Sequence, residues 1–203
     1  MSEWWTYRPS DFLMFSPRTY QRLFELMNAA TWPAPLLGLL AGLVVLALLA
    51  RRRAGGTRAR IAFALLALAW ASVGLVFHAR WFAPINWAAT GFAAAFVAQA
   101  LVWLALAVRP ALQRVDRRRP RHHAGIVLVG IAVLGWPLLA PAFGRPWRQA
   151  ELFGLAPDPT VLATFGVLLL HEMPSVALRL AAWTVPLLWL AWALLLQWTM
   201  ASP

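Results

Sequence analysis

Six apolar stretches alternate along the chain with short segments where arginine, proline and polar residues collect, a pattern that predicts an all-α integral membrane protein. The stretches run over about 33–50, 60–79, 86–108, 125–143, 155–173 and 178–199. Each approaches the ~20 residues that a helix needs to cross ~30 Å of hydrocarbon. The expected architecture is about six transmembrane helices in a single polytopic membrane domain over 1–203, preceded by an interfacial segment over 1–31.

Ser16-Pro17 is a helix opening, with serine as N-cap and proline at the first helical position. Tyr20, Leu23, Phe24 and Met27 then recur at helical spacing, opposite Arg18, Gln21, Arg22, Glu25 and Asn28. This is the pattern of an amphipathic helix lying in the membrane interface, with Trp4, Trp5, Phe12 and Phe15 in the same headgroup layer. A lid over the helix bundle is a compatible reading. Glu3, Asp11 and Glu25 argue against a cleavable leader, so this segment is expected to stay attached.

The first span opens at Pro33 and Pro35 and ends against Arg51-Arg52-Arg53, while Gly135, Pro137 and Pro141 predict a kink near Trp136 in the fourth. The fifth is the shortest signal. Its clear apolar run covers only 160–170, which leaves a re-entrant half-helix as the alternative. The sixth contains Pro186 and tryptophans 183, 189, 192 and 198.

Composition supports the membrane reading, because 62% of the 203 residues are hydrophobic and only 12% charged, too little polar surface to coat a soluble globule. The formal net charge of +11 would suggest nucleic acid in a soluble protein. Here all 18 basic residues are arginine, and 12 of them fall in 51–60, in 109–121 and at Arg179, on one side of the six-span arrangement. That asymmetry is a topology signal, putting the two dense loops in the cytoplasm and both termini on the opposite side. Those loops also suit anionic lipid headgroups, and nucleic acid is not an expected partner.

With no cysteine, the chain excludes disulfides, thiolate catalysis and iron–sulfur ligation. His78 falls at the opposite membrane side from His122, His123 and His171, so no bis-histidine haem pair, metal site or other cofactor is expected. Ala34, Gly38 and Gly42 form a small-residue ridge on the first span, and Gly91, Ala95 and Ala98 a similar surface on the third. Internal bundle packing is favoured for both over a dimerisation face.

The middles of the spans offer Ser72, Gln99, Thr164 and Thr184 but no ionisable group, which weakens a coupled-transport reading without excluding it. Glu25, Asn28, His78, Asn86, Asp158 and Thr160 map to helix ends on the non-cytoplasmic side and form a candidate ligand-binding cluster. Capping explains part of this set: Asn86 for the third span, Asp158 or Thr160 for the fifth, with Glu25 pairing to Arg22 or Arg18. His78 has no capping task, and it is the first candidate for a functional residue.

The run Phe24-Glu25-Leu26-Met27-Asn28-Ala29-Ala30-Thr31-Trp32-Pro33-Ala34, the segment from His78 to Asn86, and Gly154-Leu155-Ala156-Pro157-Asp158-Pro159-Thr160 resemble an uncharacterised bacterial family of small polytopic integral membrane proteins. The resemblance covers nearly the whole chain. It implies the fold and a marked outer surface that adds Trp32, Pro33, Pro157 and Pro159 to Asn28, His78, Asn86 and Thr160; together with the arginine asymmetry, the expected location is the bacterial inner membrane with both termini periplasmic. A cysteine is common in the family where this chain has Asp158, so no thiol or soft-metal role is expected here. Some members carry a major-facilitator permease label, although six spans are half of that fold.

The leading functional expectation is a non-enzymatic inner-membrane protein acting as an accessory or interaction subunit, with other membrane subunits or itself as partner. The alternative is a small-solute permease or channel. A third reading is a periplasmic-face metal- or ligand-binding membrane protein using Glu25, His78 and Asp158. The accessory reading further predicts a dry interior, with the outer polar cluster closing within about one or two helical turns of the surface.

Overall fold

The computed structural model describes residues 14–51, 56–109 and 119–201. Trp4, Trp5 and Phe12 lie outside the described residues, as do Arg52, Arg53, Arg114, Arg117 and Arg118 of the two basic loops. The described chain is helical: α1 (Pro17–Ala30), α2 (Ala34–Ala50), α3 (Gly56–Phe82), α4 (Ala89–Val108), α5 (Pro120–Ala142), α6 (Pro157–Leu170) and α7 (Val176–Ala201).

Four helices, α3, α4, α5 and α7, are long and apolar enough to cross a membrane, or five crossings if the bent α1–α2 pair counts as one. The expected six spans therefore reduce to four or five elements of spanning length among the described residues. The shortfall has two sources. The 17 residues of α2 join α1 through a 94° bend. The 14 residues of α6 reach about 21 Å at 1.5 Å per residue, short of a bilayer. Pro157 and Pro159 set where α6 starts, and Pro174 disfavours helix at the residue before it, so the helix closes at Leu170 and His171 is extended.

Ser16 caps α1 as its sequence predicts, with Oγ accepting from the Thr19 N–H at 3.1 Å. The apolar face of α1 turns inward. Phe24 is fully buried and stacks on Phe77 of α3 with ring centres 5.3 Å apart, while Tyr20 meets Phe82. Phe15, expected in the headgroup layer, is instead buried against Tyr20 and Phe82.

Helices α3 and α4 form an antiparallel hairpin, and the last ten residues of α3, Val73–Phe82, take the wider π form. Such stretches are rare in helices. Here the altered winding turns Phe77, His78 and Phe82 all into the core. The predicted kink in α5 is a π segment, Ile131–Gly135, followed by a 3-10 turn, Trp136–Leu138, where Pro137 has no N–H to give.

Helices α5 and α6 cross at two glycines. A Cβ at Gly166 would lie 2.6 Å from the Gly125 carbonyl oxygen, and one at Gly125 would lie 2.7 Å from the Gly166 carbonyl oxygen. Ala34, Gly38 and Gly42 belong to α2, and the two glycines face inward: a Cβ at Gly38 would meet the Phe153 carbonyl, and one at Gly42 would meet Val133 and Phe153. Gly91 differs, because nothing lies within 4 Å of its Cβ position and its face of α4 is exposed. Helix α7 packs on α4 and α6 and exposes Leu187, Leu188 and Leu195 on its other side.

Candidate functional site

The stretch from Phe143 to Ala156 returns the chain from α5 to α6 and brings two carboxylates together. Gly144 begins it at φ +71°, a left-handed conformation suited to glycine, and the Arg145 N–H donates to Ala140 O at 2.8 Å. This closes the end of α5 and aims Arg145 at Glu151, 3.4 Å away. Trp136, at the kink of α5, donates its indole N–H to the other oxygen of Glu151 at 3.1 Å. A second left-handed glycine, Gly154 at φ +78°, turns the chain into α6, and its N–H donates to Thr160 Oγ1 at 2.9 Å. Thr160 donates in turn to Ala156 O at 2.8 Å and locks the turn that delivers Asp158.

Asp158 does not cap α6 as expected. Its Oδ1 accepts the indole N–H of Trp189 of α7 at 2.7 Å. Nor does it lie at the rim. Trp189 is the fourteenth of the 26 residues of α7, about 18 Å from that helix's C-terminal end. The start of α6 is a helix end placed inside the bundle, because α1 and the 143–156 stretch fold over it.

These residues surround a cavity of about 860 Å³. Tyr20, Arg145, Glu151 and Asp158 give it a polar side, and Leu139, Phe143, Leu162, Phe165, Leu190 and Leu194 give it apolar walls. That volume lies within the ~300–1,000 Å³ of small-molecule sites. Its lining runs from Trp189 to Ala201 along α7, about three turns. The interior is thus more open than the expected closure within one or two turns. Burial, and then the charges of Asp158 and Glu151, hold the Tyr20 phenol well above its usual range, so it is a neutral hydroxyl.

Of the seven residues singled out from sequence, Asp158 alone lines this cavity. Glu25 and Asn28 tie α1 to the loop that forms its rim. Asn28 Nδ2 donates to the Arg148 and Ala150 carbonyls at 3.0 and 2.9 Å. Glu25 pairs with Arg148 at 3.3 Å and accepts from Gln149 Nε2 at 3.1 Å, not with Arg18 or Arg22 as its spacing suggested. Thr160 sits behind the cavity in the Gly154 turn. Asn86 is a cap, accepting from the Ala88 N–H at 3.0 Å. Trp32 is 69% exposed at the α1–α2 bend, away from the cavity.

His78 is fully buried and packs against Phe77, Phe92, Phe96 and Trp189, the last with ring centres 4.9 Å apart. Both its ring nitrogens lack a hydrogen-bond partner among the described residues. Its contact with the cavity lining is the Trp189 ring, and Phe82 stands between it and Tyr20. Among the described residues, no three His, Asp or Glu side chains come together to hold a metal ion. At the other end of α6, Glu172 pairs with Arg121.

Sequence reading missed Tyr20, Trp136, Arg145, Glu151 and Trp189. Glu151 was one of several charges on the outer side, and the tryptophans were two among 13. The available signal was the placement of an acid three residues before Gly154 and seven before Asp158, on a segment flanked by prolines.

No curated protein and no solved structure matches the chain. A family model does, over residues 18–200, and its description is a family of unknown function, DUF6064. Since that match takes in almost the whole sequence, the chain belongs to this family.

Proposed function

We propose that this chain is a non-enzymatic, ligand-binding protein of the bacterial inner membrane, with the cavity as its working part. The observation that carries the reading is the unwound 143–156 stretch. Irregular backbone at membrane depth is tolerated where it is buried in protein or lines a cavity, and half-helices that start inside the bilayer commonly build binding sites. The pairing of Glu172 with Arg121 sets the end of α6 level with the start of α5, while Trp136 near the other end of α5 holds Glu151. In this reading the stretch and α6 together make the fifth of six crossings. The arginine-rich loops then face the cytoplasm, both termini face the periplasm, and α1 lies at the interface as a lid over the cavity.

The test is purification of the full chain from native membranes in mild detergent, with mass spectrometry of whatever small molecule stays bound. Ala193→Trp places an indole in the cavity from a partly buried position one turn beyond Trp189. One species near stoichiometric occupancy in the wild type, lost from a monodisperse Ala193→Trp protein, is the expected result. An identical spread of lipids on both proteins would refute it.

Transport is the second reading. Its support is Asp158, an ionisable group inside the bundle where the sequence offered none. Gln99 and Thr164, the polar residues expected along a pathway, are instead engaged with Ala182 O at 3.3 Å and Trp70 Nε1 at 2.8 Å, and neither lines the cavity. Solute flux in liposomes holding this protein alone, abolished by Asp158→Asn, would favour transport.

A further inference from the structure

We propose that the molecule held in the cavity is a primary ammonium joined to an apolar body. The inference rests on the ligand-binding reading above and adds the chemistry of the ligand.

The first argument is charge. The polar side of the cavity carries two carboxylates and one guanidinium, and the guanidinium of Arg145 is held by Glu151 at 3.4 Å. Asp158 has the Trp189 indole on Oδ1 and no cationic partner among the described residues. A carboxylate half-buried in apolar surroundings is costly unless a cation or further donors meet it. The second is the hydrogen-bond inventory. The indole N–H groups of Trp136 and Trp189 are both spent on carboxylates. The Tyr20 side chain, in a residue only 5% exposed, lines the cavity, and its hydroxyl makes no hydrogen bond among the described residues. Beside the amides of Gln21 and Gln197, what stands open is the second oxygen of Asp158 and the hydroxyl of Tyr20, which offers an acceptor lone pair as well as its own O–H, both reached from one space. A group with one positive charge and several N–H donors satisfies both, and a primary ammonium has three.

The third argument is shape. Leu162, Phe165, Leu190 and Leu194 leave the rest of the volume for hydrocarbon. A quaternary ammonium would fit the aromatic walls by cation–π contact but would leave both acceptors empty. The same chemistry occurs in an aminophospholipid headgroup and in a free hydrophobic amine.

The probes are octylamine, octyltrimethylammonium and octanol, titrated by calorimetry into the full chain in nanodiscs of phosphatidylcholine. Octylamine should bind roughly tenfold more tightly than either of the others, the scale of one charge-assisted hydrogen bond in a buried site. Asp158→Asn retains an oxygen for Trp189 and should erase that preference while leaving octanol binding unchanged. Tyr20→Phe should weaken octylamine several-fold and spare octanol. Competition by phosphatidylethanolamine in the nanodisc would identify the source as a lipid headgroup, and its absence would identify a free amine. Equal binding of all three probes, blocked by Ala193→Trp, would overturn the ammonium assignment and keep the ligand-binding reading. Tighter binding of octyltrimethylammonium would overturn the assignment in favour of an aromatic cage. No binding by any probe would remove both.

Discussion

The indole N–H of Trp189 reaches the carboxylate of Asp158 at 2.7 Å across 31 positions of sequence, while the same ring sits edge-on to His78, 4.9 Å away. One side chain thus joins the polar side of the cavity to the aromatic core. Trp189→Phe keeps most of the ring packing and deletes the donor, so it should cost about 1.5–3 kcal/mol, the range for a hydrogen bond to a charged group. Trp189→Ala removes the packing as well and should cost about 3–5 kcal/mol. Reversible unfolding in mixed micelles measures both, and a cost near zero for Trp189→Phe would mean that the hydrogen bond contributes nothing.

The glycine crossing of α5 and α6 makes a sharper contrast. Gly166→Ala forces a methyl group against backbone at 2.6 Å, and overpacking of that kind costs about 1–3 kcal/mol. Gly91→Ala meets nothing within 4 Å and should be neutral or up to about 1 kcal/mol stabilising through helix propensity. Thermal midpoints of the two variants check the difference in sign.

The helical class, the positions of four long apolar helices, the Ser16 cap and the break near Trp136 were all legible in the sequence, because periodicity, proline and arginine clusters act locally. The cavity was not. Its polar side draws Tyr20, Arg145, Glu151, Asp158 and Trp189 from four separate segments, and no spacing rule links residue 20 to residue 189. Asp158 was read as a surface cap because it begins a helix. A helix end can lie inside a bundle, and nothing in the local pattern of α6 distinguishes the two cases.

Membrane sidedness is directly measurable, since the chain has no cysteine of its own. With cysteine placed singly by Gly56→Cys and Ser202→Cys, an impermeant thiol reagent on spheroplasts should reach position 202 and spare position 56. Labelling of position 56 alone would invert the orientation, and labelling of neither would put the C-terminus inside.

The ties from Asn28 to the Ala150 carbonyl and from Glu25 to Arg148 span more than a hundred positions, and they set an order on biogenesis. Residue 28 leaves the ribosome long before residue 150, so while α4 and α5 are inserted α1 has its aromatic contacts with α3 but none of its polar ties. Ribosome-arrested chains ending before the 143–156 stretch has emerged should have α1 open to added protease, and chains stalled beyond α6 should have it sheltered. In that sense α1 reports completion: the first helix to be made is among the last to be seated.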